Sequence, residues 1–253
     1  MGLWSAEHIK TLLPSIILMV VSAAALRYFL RGKSEKWRML PMKVIGVLLL
    51  LLEIGKQVIS LLRGYDLYHL PFHFCSLFIF LIPMMAFYKG RHSQTVRGIT
   101  AAISASLFVM MLIYPSLVYA SGSIKAFFRD YMAFHTVAFH NLVMLAFLLI
   151  PALELHTPGG KKETGAVLCF VGGFCVVSAS MAYILKTNFA GFYTCNIPFF
   201  ETVRLAIVDA AGYVAAQLVY VGILVALNFA FVYGSHWAYR GISRLLNRKH
   251  ITA

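Results

Sequence analysis

Seven runs of about twenty apolar residues, parted by short links that hold most of the charge, decide what this chain of 253 residues can fold into. They lie at roughly 12–30, 42–62, 70–88, 99–119, 134–153, 166–185 and 210–233, each long enough to cross a hydrocarbon core about 30 Å thick as a helix. Lipid offers no partner to a backbone N–H or C=O, and no run shows the two-residue alternation of a barrel strand. Each run is therefore expected as a helix. Composition closes the soluble alternatives. Sixty per cent of the residues are apolar and 12% charged, where a soluble domain carries about 45–50% and about 25%. The expectation is all-α: a polytopic membrane bundle of one domain, residues 1–253, ending in a short basic tail from about residue 240.

The net charge of +13 would point a soluble chain towards nucleic acid. Here it reads as topology. Fifteen of the 22 basic residues fall in alternate links and the tail, from Arg27, Arg31, Lys33, Lys36 and Arg38 through to Arg240, Arg244, Arg248 and Lys249. The excess places the N-terminus outside and the C-terminus inside, with the basic rim against anionic inner-leaflet lipid and no nucleic-acid partner. The basic residues near the first run follow it rather than precede it, so it reads as a retained helix and not a signal peptide. Pro83, Pro115 and Pro151 fall inside expected spans, where proline kinks a helix.

Ionisable groups inside a span cost about 2.5–3.5 kcal/mol at its centre, so each is a functional candidate. The second span carries Glu53, Lys56 and Gln57, whose three- and four-residue spacings put them on one helix face. The third starts outside with His73 and Cys75, His69 lying just above. The fifth also starts outside and carries His135, His140 and Asn141. The link after the sixth, from Lys186 and Asn188 to Cys195 and Asn196, lies on the same side. Four segments thus converge on one depth in the outer leaflet. Each member also has a plain structural reading: Glu53 with Lys56 as an ion pair, Cys75 as a packing residue, Asn188 as a helix cap. His73 and His140 stand in apolar runs where leucine would pack more cheaply.

Imidazoles at such a depth can serve as general acid and base or as metal ligands. The five-residue spacing of His135 and His140 is poor for one metal, and the four cysteines form no CxxC pair. No metal and no cofactor is expected.

The segments Glu53-Ile54-Gly55-Lys56-Gln57, Leu70-Pro71-Phe72-His73-Phe74-Cys75-Ser76, Phe134-His135-Thr136, Phe139-His140-Asn141 and Lys186-Thr187-Asn188 resemble, in order, the bacterial YwaF-like integral membrane family. That family is similar in turn to the transmembrane protein 164 acyltransferases and, more distantly, to the androgen-induced fatty-ester hydrolases. The resemblance implies acyl-lipid chemistry in a bacterial inner membrane, with membrane lipids as partners and a possible substrate among them. It carries the motif histidine to His73 and a second to His140. Where the transferase motif reads Pro-Cys-His this chain has Pro71-Phe72-His73, so the nucleophile does not carry over, and Cys75 is not its match.

The leading expectation is a lipid-modifying enzyme of the acyl-transfer or acyl-ester hydrolysis class, open to the outer leaflet. His140 and His73 are its catalytic pair, with Glu53, Lys56, Gln57, Cys75, His135, Asn141 and Asn188 in binding or supporting places. The alternative is a transporter or sensor of a small solute using the same polar groups; a purely structural membrane partner stands third. The charge bias makes a first prediction. A cysteine introduced near Arg244 should escape an impermeant thiol reagent in intact cells and react once the membrane is opened; labelling of intact cells would reverse the orientation.

Overall fold

A computed structural model describes residues 6–118, 128–194 and 198–248, and all regular structure among them is helical. The helices are α1 (Ala6–Leu30), α2 (Glu35–Arg38), α3 (Leu40–Leu62), α4 (Phe78–Phe87), α5 (Ser93–Ile113), α6 (Tyr131–Ala152), α7 (Lys161–Ile184), α8 (Pro198–Ala211) and α9 (Tyr213–Arg248), with short 3-10 turns in several links. Among the described residues six helical segments are long and apolar enough to cross a membrane: Ile9–Leu30, Glu35–Leu62, Ser93–Ile113, Tyr131–Ala152, Lys161–Ile184 and Tyr213–Ser243.

The expected third span differs. Its helix, α4, begins at Phe78 and has ten residues, about 15 Å at 1.5 Å per residue. Pro71 accounts for where it cannot start. The residue before a proline is pushed out of the helical region, and Leu70 is extended at φ −63° and ψ 149°. The chain stays irregular until the turn Cys75–Leu77. Such backbone survives at membrane depth only where protein satisfies it. Here Gln57 Nε2 donates to the His69 carbonyl at 2.9 Å, and Ser178 Oγ donates to the Phe72 carbonyl at 2.7 Å.

Two further boundaries move. Pro115 does not kink a span; α5 stops at Ile113, and Pro115 opens a 3-10 turn behind Tyr114, which leaves the helical region at φ −133° and ψ 73°. At the other end α9 starts after Gly212, whose φ of 82° favours glycine, and runs unbroken to Arg248. The basic segment expected as a tail from about residue 240 therefore begins inside a helix.

α5 lies at the centre, packed against α4, α6, α7 and α9. Its run Thr100–Leu107 is buried throughout and consists mostly of alanine, serine and threonine, whose small side chains let helix backbones approach closely without a hydrophobic drive between them. Their hydroxyls are satisfied locally: Ser104 donates to the Thr100 carbonyl and Ser106 to that of Ala102. Around α5, α3 packs on α4 and α6, and α1 on α6.

Three arginines close the C-terminal end of α6. Arg27 donates to the Ala152 carbonyl at 2.6 Å, Arg38 to that of Leu153 at 3.0 Å, and Arg97 to that of Leu155 at 3.1 Å. The last carbonyls of a helix have no internal partner and carry the negative end of its dipole, so cations are favoured there.

At its other end α6 is seated on α3 through a glycine. The Tyr131 hydroxyl donates to the Leu52 carbonyl at 3.0 Å, and its ring lies where a Cβ on Gly55 would be. Gly55→Ala is therefore expected to displace Tyr131 and cost about 1–3 kcal/mol. It should lower the thermal midpoint of the purified protein. The loss should be smaller when Tyr131→Ala is already present; additive losses would show that the two residues do not share this contact.

Candidate functional site

The site is built from one carboxylate outward. α3 crosses the bilayer with Glu53, Lys56 and Gln57 on one face, as their spacing requires. Glu53 Oε1 takes Lys56 Nζ at 2.8 Å and Gln57 Nε2 at 2.7 Å. Its other oxygen, Oε2, faces His135 Nε2 on α6 at 3.5 Å. The side chains of Glu53, Lys56 and His135 keep only 11%, 12% and 10% of their surface exposed, so this is a buried charge cluster and not a surface pair. Gln57 extends it: its carbonyl oxygen accepts from the Tyr65 hydroxyl at 2.9 Å, while its amide holds the His69 backbone.

The same end of the bundle is tied again at its rim. Asp130 caps α6 by accepting from the Ala133 N–H at 3.2 Å, and pairs with Arg63 from the end of α3 at 2.9 Å. The Arg63 guanidinium holds the Asp130 carboxyl below the usual carboxylate range.

His140 sits on α6 five residues beyond His135. Its Nδ1 lies 2.6 Å from the Thr136 carbonyl of the preceding turn. A carbonyl can only accept, so Nδ1 carries the proton, and in the neutral ring Nε2 keeps a lone pair. His135 stacks on Phe139 with ring centroids 5.4 Å apart, and the His140 ring meets the edge of the same phenylalanine at 5.7 Å. Phe139 thus fixes both imidazoles from between them. The His135 Nε2 atom is buried and makes no hydrogen bond.

His73 is held differently. Its Nε2 lies 3.0 Å from the Tyr68 carbonyl, and the Ala190 N–H points at its Nδ1 from 3.4 Å. The carbonyl must accept, so Nε2 carries the proton and Nδ1 is the acceptor: both ring nitrogens are engaged. The turn it grips, Phe189–Gly191, places Ala190 at φ 48° and Gly191 at φ 81°, and the Gly191 carbonyl takes the Tyr220 hydroxyl of α9 at 2.5 Å. His73 therefore fastens the irregular segment before α4 to the link after α7. No hydrogen bond or ring contact joins His73 to His140 among the described residues.

The remaining expected residues fall around these. Asn188 uses its side-chain oxygen to accept from the backbone N–H groups of Tyr193 and Thr194 at 3.2 and 3.1 Å, which orders the same link. Cys75 opens the turn before α4, half-buried beside the buried Ser76. Asn141 is half-buried next to His140. Cys195 and Asn196 lie outside the described residues.

A second cluster occupies the opposite end of the bundle and escaped the sequence reading. Glu163, in the first turn of α7, faces His156 of the preceding link at 3.1 Å and His236 of α9 at 3.7 Å. Its Oε2 also accepts the Gly159 N–H at 3.0 Å, and its carboxyl rests where a Cβ on Gly98 of α5 would be. Both histidine side chains are 2% exposed. His156 lies in a link and His236 beyond the expected end of the last run, so neither stood out as intramembrane. The one signal was scarcity, an acid among only nine in the chain placed close to a histidine. Among the described residues no group of three or more His, Cys, Asp or Glu is arranged to hold a metal ion.

The buried pair on α3 makes a prediction. Glu53→Gln leaves Lys56 charged and buried without its partner, a loss of about 3–5 kcal/mol, while Glu53→Gln with Lys56→Met should recover most of it. Recovery of the fold in the double variant would show that the two charges neutralise each other; a double variant no more stable than Glu53→Gln would overturn the pairing.

No curated protein and no solved structure matches this chain. The pattern of the TMEM164 family, a family of helical membrane proteins by this architecture, matches residues 3–233, and the chain belongs to that family.

Proposed function

We propose that the chain is a membrane enzyme acting on acyl lipids by general acid–base chemistry, with His140 as the base. The observation that carries this reading is the His140 tautomer. A backbone carbonyl fixes the proton on Nδ1 and leaves a lone pair on Nε2, the arrangement an imidazole needs to take a proton from an oxygen nucleophile.

Phe72 stands where the resembling transferases carry cysteine, so the reading uses no covalent acyl-enzyme step. An oxygen nucleophile, water or an acceptor hydroxyl, attacks the lipid ester carbonyl and gives its proton to His140 Nε2. Collapse of the tetrahedral species breaks the ester C–O bond, and His140 returns that proton to the departing alkoxide. With water the products are a fatty acid and a lysolipid; with a hydroxyl acceptor, a new ester and a lysolipid. His73, Asn188 and Gln57 act as positioning residues, since their polar groups hold the loops that flank the site.

The test is turnover of glycerophospholipids by the reconstituted full-length protein, read as fatty acid, lysolipid and exchanged acyl chains by mass spectrometry. His140→Ala should lower turnover by about 100- to 10,000-fold while the thermal midpoint stays within a few degrees. Equal turnover in His140→Ala, or no acyl chain released or exchanged from any glycerolipid by the parent protein, would overturn the assignment.

A further inference from the structure

At the end of α1 the chain builds a small cationic niche. Arg27 on α1, Arg31 in the link that follows and Arg38 at the end of α2 line it together with Glu154 and the backbone around Leu153. Its cavity volume is about 30 Å³. A cavity of that size takes a few ligand oxygens or two waters and no whole metabolite. Arg27 and Arg38 share one carboxylate, Glu154, which is itself 60% exposed, 3.8 Å from Arg27 and 3.5 Å from Arg38. Arg27 and Arg38 each point a terminal nitrogen at an α6 carbonyl, yet the Arg38 Nε atom is buried and makes no hydrogen bond. A donor in that state calls for an acceptor oxygen.

The surroundings name the source of that oxygen. Tyr28 and Phe29, in the last turn of α1, are 79% and 69% exposed, and Trp37 on α2 is 56% exposed. Aromatic rings of this kind sit at headgroup level in membrane proteins, with their apolar faces on acyl chains. Guanidinium forks match phosphate oxygens in geometry as well as charge. We infer that the Arg27–Arg31–Arg38 niche is a binding site for the phosphate of an anionic phospholipid, whose chains lie along the exposed rings of Tyr28, Phe29 and Trp37. The site stands apart from Glu53 and His140, at the far end of α6, and is independent of the acyl-lipid reading.

Native mass spectrometry of the delipidated full-length protein, loaded with phosphatidylglycerol or phosphatidylcholine, tests it. Phosphatidylglycerol should be retained in preference to phosphatidylcholine. Arg31→Gln and Arg38→Gln should each lower its retention about five-fold, with phosphatidylcholine unchanged. Arg38 also holds an α6 carbonyl, so a drop in stability there would confuse the result; Arg31, which is exposed, decides the matter alone. Equal retention of the two lipids, or full retention of phosphatidylglycerol by Arg31→Gln, would overturn the site. So would displacement of the lipid by millimolar inorganic phosphate, which would make the niche a free-phosphate pocket.

Discussion

A carboxylate in hydrocarbon has to be neutralised by the protein that carries it, and Glu53 organises one end of this molecule because its partners come from different places. Lys56 and Gln57 reach it along its own helix, and His135 reaches it from α6. Gln57 then passes the constraint to the loop by holding the His69 carbonyl and accepting the Tyr65 hydroxyl. α3, α6 and the irregular segment before α4 are thereby fixed to one another through polar contacts, in a medium where apolar surface alone gives helices no reason to associate. The small side chains of α5 and the seat of Tyr131 on Gly55 supply the close packing that keeps those contacts short.

The two polar centres differ in what their geometry leaves over. At the Glu53 end every carboxylate oxygen has a partner close by, and the imidazole of His140 is oriented by backbone with a lone pair directed away from its own helix turn. At the Glu163 end two imidazoles flank a carboxylate from a link and from α9, pressed against Gly98. The first sets an oriented imidazole on the same helix as a carboxylate's partner; the second joins three elements around a single acid.

Much of this could be read in the residues themselves. Apolar runs of span length identify helices because lipid permits little else, and the i, i+3, i+4 spacing of Glu53, Lys56 and Gln57 puts them together on any helix. What sequence spacing cannot show is which helices meet. His135, expected in a supporting place, lies with Nε2 3.5 Å from a Glu53 oxygen on another helix, and His73, expected as half of a catalytic pair, has both ring nitrogens set against backbone. Pro71 carried a readable signal, since the residue before a proline is pushed out of the helical region and Leu70 is a poor helical position. It was masked by the unbroken apolar run on either side, which made hydropathy the louder cue. His236 was invisible for another reason. It lies past the last apolar run, and only the continuation of α9 brings it back over Glu163.

That continuation has a mechanical side. Thirty-six helical residues rise about 54 Å, against a hydrocarbon core about 30 Å thick. Tilt alone cannot absorb the difference at the angles usual for such helices, so α9 must stand proud of the bilayer as a rod. Positions 240, 244 and 248 recur once per helical turn along it, about 6 Å apart. A flexible polybasic tail can spread its charges over whatever anionic surface it meets. A rigid helix keeps a set pitch over that length, and α9 packs on α5 and on α7, the helix that carries Glu163.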